Sequence, residues 1–158
     1  RGYHRELKDV AWSAEQWEEA LQCLKPHIAS ERISRTDLSK PSAVGIVHLH
    51  AAGQSWVLDL RESSVNCVDA EIIQNRMFTG LFGIEDARND PKLRYIPGTM
   101  DSQRLIEQSD SRTESAIFEM HPVGTDQIKA TADRGGFLPP KSSWVEPKLR
   151  SGLFIHEI

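Results

Sequence analysis

The stretch Val44–Leu60, VGIVHLHAAGQSWVLDL, decides the fold. Val44 to Leu49 and Trp56 to Leu60 flank a short turn that contains Ala52, Gly53 and Gln54. In the second run Trp56, Leu58 and Leu60 alternate with Val57, Asp59 and Arg61. Side chains alternate across a strand with a period of two, so this is a strand with one buried face, and the pair reads as a β-hairpin.

Working outward, Ser13 followed by Gln16 has the form of a capping box that opens a helix at Ala14. Trp17, Ala20, Leu21 and Leu24 continue it at helical spacing, and Pro26 ends it. Glu31 to Pro41 reads as a linker or a frayed strand. Beyond the hairpin, Asp69 is the expected cap of a helix carrying Ile72, Ile73, Met77, Phe78 and Leu81, with Gly83 as its stop. A brief strand is expected at Arg94–Ile96. A helix capped by Asp101 follows, with Leu105 and Ile106 inward, and then a strand at Ser115–Met120 with Ala116, Phe118 and Met120 on one face. Thr125 is the expected cap of a last short helix, closed by Gly135-Gly136, and a final strand is expected at Leu153–Ile158. Short connections and a hairpin favour a mixed or largely antiparallel sheet, with three to four short helices packed on it, over a doubly wound one. The fold class is α+β, in a single domain spanning residues 1–158.

At 158 residues the chain is long enough to bury a core without staples. Hydrophobic residues at 39% and charged residues at 27% give a globular balance. The apolar runs are too short to span a bilayer, so no membrane partner is expected. A net charge of −4 argues against nucleic acid, whose phosphates call for a basic surplus. Cys23 and Cys67 are far apart; a disulfide is one reading, and two thiols in a reducing, cytoplasmic compartment the simpler one. The chain opens on Arg1 rather than Met, and reads as a C-terminal fragment of a longer protein.

The most unusual stretch is Leu138–Leu149, LPPKSSWVEPKL, with three prolines, two lysines, two serines, a carboxylate and a tryptophan. Prolines fix φ and lower the loop's unfolded entropy, so such a loop holds polar groups in place. Lys141 beside Ser142 and Ser143 supplies a point charge and hydroxyl donors suited to phosphate or carboxylate. The bland alternative is a rigid crossover plugged by Trp144. Glu85, Asp86 and Asp90 share a turn with Arg88, which suits a cation or a substrate amine but is equally a solvated turn. His121 closes a strand and is a candidate acid or base beside Asp86.

His48 and His50 lie two apart on a strand and point to one face. Two imidazoles so placed can share a metal if His121 or Glu119, on another strand, supplies a third ligand. The alternative is a solvent-facing pair, and the sequence alone assigns no metal.

Three motifs occur in a telling order: Tyr3-His4-Arg5 with Lys8-Asp9; Gly83-Ile84-Glu85-Asp86-x-Arg88-x-Asp90; and Pro139-Pro140-Lys141-Ser142-Ser143-Trp144-x-x-Pro147-Lys148-Leu149-x-Ser151-Gly152-Leu153. Together they resemble the C-terminal half of domain-of-unknown-function family 1015, found in bacteria and archaea. The resemblance covers nearly the whole chain, with two departures: His4 stands where the family usually has asparagine, and Ser143 where it usually has threonine. It implies an upstream half carrying an Asp-Gly-His-His-Arg signature. That signature is similar to one in ParB-like proteins, some of which bind nucleotides and phosphorylate free serine. Members are also often encoded near serine-biosynthesis enzymes. By this analogy the chain is the C-terminal domain of a small-molecule enzyme handling a nucleotide or a phosphoserine-like anion. Lys141, Ser142, Ser143, Arg88 and Lys148 would bind the ligand, and Asp86 and His121 would move protons or hold a cation. Neither the residues nor the resemblance identifies a cofactor. The alternative is a non-catalytic scaffold that packs on the N-terminal half of the parent protein or forms a homodimer.

Overall fold

Period-two alternation builds the hairpin as β3 (Ile46–Ala51) and β4 (Gln54–Asp59). Ala52 and Gly53 close it with φ of 49° and 71°, the two positive values that match a tight turn to the sheet's twist. The computed structural model describes residues 2–25, 27–36, 38–61 and 67–143. The expected strand at Leu153–Ile158, with Trp144 and Lys148, lies outside them.

Four more strands, β1 (Tyr3–Lys8), β2 (Ala29–Arg32), β5 (Leu93–Pro97) and β6 (Ser115–Met120), complete a six-stranded sheet in the order β2-β4-β3-β6-β1-β5. Every neighbouring pair is antiparallel. The fold is α+β. Part of the polar stretch after Glu31 belongs to β2, an edge strand paired with β4.

The register sorts the side chains onto two faces. Leu7, Val47, Leu49, Trp56, Leu58, Ala116, Phe118 and Met120 share one face and its large core. Helix α1 (Ala14–Leu24) contributes Trp17, Leu21 and Leu24 to that core, and its capping box is complete, Ser13 and Gln16 each satisfying the other's backbone N–H. A helical rod over 69–82 contributes Ile72, Ile73, Met77 and Phe78. It consists of α2 (Asp69–Ile73), a π-helical stretch (Gln74–Thr79) and α3 (Gly80–Phe82). Phe78 meets Phe118 edge to face at 5.2 Å. Gly83 ends the rod at φ 65°, the left-handed stop that glycine accepts without strain.

Two caps differ from expectation. Val68, not Asp69, precedes α2; Asp69 turns its Oδ2 to accept the Gly45 backbone N–H at 2.9 Å. Gly45 has φ +84° and leads the chain into β3, so the carboxylate satisfies a buried turn rather than a helix end. Gly124, not Thr125, caps α5 (Thr125–Asp133), with Gln127 Oε1 accepting the Gly124 N–H at 3.1 Å.

The opposite face of the sheet is mostly polar. It carries His4, Glu6, His48, His50, Ser55, Ile96, Ile117 and Glu119. Helix α4 (Ser102–Ser111), capped by Asp101, packs across it through a small apolar cluster of Leu105, Ile96 and Ile117.

Candidate functional site

Beneath α4 the polar face closes into a network. β3 and β6 are neighbours, and His48 stands directly opposite Glu119. Because β3 side chains alternate, His50 joins them on the same face. Glu119 Oε2 lies 3.3 Å from His50 Nε2 and 3.5 Å from His48 Nδ1. His48 Nδ1 is buried and, at this separation, has no hydrogen-bond partner among the described residues. Ser102, in the first turn of α4, donates to the other carboxylate oxygen at 2.7 Å. His50 Nδ1 is 2.8 Å from Ser55 Oγ, which also accepts from Arg35 Nε at 3.0 Å. Arg35 then grips Asp110 of α4 with both terminal nitrogens, at 3.0 and 2.9 Å. The network therefore laces the helix to the sheet.

Glu119 and His50 are completely buried and His48 is 5% exposed, so this is no solvent-facing pair. The reason is α4, whose polar inner residues Ser102 and Ser109 suit a polar face better than open water would suggest. Burial by itself would raise the Glu119 carboxyl; the approach of His48, His50 and Ser102 outweighs it and holds the group at about 2. Burial lowers the His50 imidazole and favours its neutral form, against the pull of Glu119 toward the charged one.

Asp86 and Arg88 lie in the turn after the helical rod. Together with Pro139 and Pro140 they line an open cleft of about 400 Å³, shared with Glu71, Gln74, Asn75, Glu85 and Asn89. The Asp86 carboxylate accepts from Asn89 Nδ2 at 2.8 Å and from the Arg88 backbone N–H at 3.0 Å. These bonds, Asn89 first, lower its pKa and keep it ionised.

His121 and Ser142 meet elsewhere, around a water-sized cavity with Arg5 and Asp69. Ser142 Oγ donates to Pro139 O at 2.7 Å, and Arg5, 3% exposed, donates to Pro140 O at 3.2 Å. The loop over 139–142 is thus pinned to β1. Lys141 lies over the Tyr3 ring at 5.5 Å, and Ser143 is exposed. The fold brings Asp86 and Arg88 to one side of this loop and His121 to the other, and does not join them in one constellation.

The chain matches no family model, no curated protein and no solved structure. Function is therefore a matter of this geometry. Sequence reading missed Ser55, Ser102 and Arg35, which surround the buried carboxylate. One signal for Glu119 was present: a charge set between Phe118 and Met120 in an otherwise apolar strand must face away from their core.

Proposed function

We propose that this domain binds a small ligand bearing both charges, of the phosphoserine type, in the cleft between the 84–91 turn and Pro139-Pro140. In this reading it serves as the C-terminal, ligand-binding part of a small-molecule enzyme whose chemistry resides upstream. The observation that carries the reading is that Asp86 and Arg88, distant in sequence from Pro139 and Pro140, wall one polar cleft with them. About 400 Å³ suits an amino-acid-sized ligand better than a nucleotide. Arg88 offers a fork for a carboxylate or phosphate, while Glu71, Glu85 and Asp86 favour a ligand that also carries an ammonium. Gln74 and Asn75 belong to the π-helical stretch, an irregularity that recurs at functional sites. The resemblance to family 1015, with its serine-linked analogy, points the same way.

The test is thermal unfolding against phosphoserine, serine, phosphate and ATP. Phosphoserine at about 100 times its dissociation constant should add roughly 2.7 kcal/mol and raise the midpoint by a few degrees. Arg88→Ala should abolish that shift. If no member of the panel moves the midpoint, the ligand reading is lost.

A second reading rests on Phe137, which is 91% exposed at the rim of the same cleft. An aromatic left in water suits a docking partner, such as the upstream half or a second copy of this chain. Sedimentation that shows self-association in the parent chain and not in Phe137→Asp would favour it.

A further inference from the structure

We propose that His48, His50 and Glu119 form a site for one zinc-class divalent ion, buried between β3, β6 and α4. Bonds of about 2.0–2.1 Å place the donors of a tetrahedral ion roughly 3.3–3.4 Å apart. The two histidine nitrogens lie 3.3 and 3.5 Å from Glu119 Oε2, which are tetrahedral edges already in place. The three ligand atoms all fall within 4.8 Å of one another. The His48 nitrogen that faces the carboxylate has no hydrogen-bond partner among the described residues, a buried polar atom that an ion would satisfy.

The donor chemistry selects the ion. Two imidazoles with one carboxylate match zinc and its neighbours, whereas calcium and magnesium require oxygen donors. The surroundings are those that orient metal ligands. Ser102 holds the carboxylate oxygen distal to the histidines. Ser55 Oγ accepts the His50 Nδ1–H when the proton sits on that nitrogen, leaving the Nε2 lone pair for the ion. Arg35 fixes Ser55 in turn. Three protein ligands leave the fourth position to a water molecule. The cleft at the 84–91 turn shares none of these residues, so the metal site and the cleft are independent of each other.

The experiment is to refold the 158-residue chain, without a histidine tag, in excess zinc or cobalt(II), dialyse against metal-free buffer and measure bound metal. Refolding is specified because the site is closed. One ion per chain is expected, with the intense visible bands of tetrahedral cobalt. Glu119→Gln should weaken zinc binding by more than about tenfold, and Ser102→Ala by about 10- to 100-fold. His121→Ala should leave it unchanged. Refolded chain with a native circular-dichroism spectrum and no stoichiometric metal would overturn the proposal and make the cluster a closed hydrogen-bond network. So would binding that survives Glu119→Gln. Octahedral cobalt spectra on the parent chain would overturn it without any variant.

Discussion

His4 Nδ1 accepts the backbone N–H of Met120 at 3.0 Å, tying β1 to β6. The imidazole is 3% exposed, and burial brings it down to about 4 from an ordinary 6.5, against the opposing pull of Glu119. Lys40 and His50 add to the lowering.

Between pH 6.5 and 4 the unfolded chain takes up a proton at His4 that the folded chain refuses. Stability should therefore fall as the pH drops through this window, by on the order of 3 kcal/mol for a shift of this size. His4→Gln keeps a neutral acceptor for Met120 and should flatten that part of the profile. Urea midpoints of the two proteins across this pH range measure it.

Asp69 shows the opposite dependence. Burial raises its carboxyl above the usual aspartate range, with the Gly45 hydrogen bond and His121 working against the rise. The folded chain then keeps a proton that the unfolded chain has lost, so stability should decline as the pH climbs through the raised value. Asp69→Asn retains an oxygen for Gly45 and never ionises. Its denaturation midpoint should exceed that of the parent at pH 7, and the gain should vanish near pH 4.

Glu6 is completely buried and faces two guanidiniums, those of Arg94 and Arg112. Both arginines are partly exposed, which softens the loss when their partner goes. Glu6→Ala should destabilise by about 2 kcal/mol, more than either arginine replaced alone. A double-mutant cycle in urea separates the two pairs.

Arg35 makes three side-chain contacts, two to Asp110 and one to Ser55. Lysine carries the charge without the planar fork. Arg35→Lys should cost about 1 kcal/mol in stability, and should weaken zinc retention as well if Ser55 orients His50 as proposed.

The hairpin, the capped α1 and the Ser115–Met120 strand were legible because alternation, capping residues and turn glycines are local signals. β1 was not. Tyr3-His4-Arg5-Glu6-Leu7-Lys8 has one aliphatic residue, yet His4, Arg5 and Glu6 are buried because distant groups answer them: Met120, Pro140, Arg94 and Arg112. Burial of that kind has no local signature. The same limit applied to the site. Strand period alone aligned His48 with His50, but choosing Glu119 over His121 as their neighbour required the pairing of β3 with β6. Only the packing of α4 showed that the trio lies out of water.

The place of β1 also shapes how the protein comes to exist. Residues 3–8 leave the ribosome before the other strands of this sheet, yet their neighbours in it are β5 and β6. The partners of the β3–β4 hairpin are adjacent in sequence, whereas β1 has no sheet neighbour until β5 (Leu93–Pro97) has been made and is not flanked on both sides until β6 follows. During that interval its buried-to-be charges Arg5 and Glu6 keep it hydrated, which an apolar strand could not do. The polarity that leaves β1 without a local strand signature also keeps it hydrated while it waits, and contacts of such long sequence range are the kind that form slowly in folding.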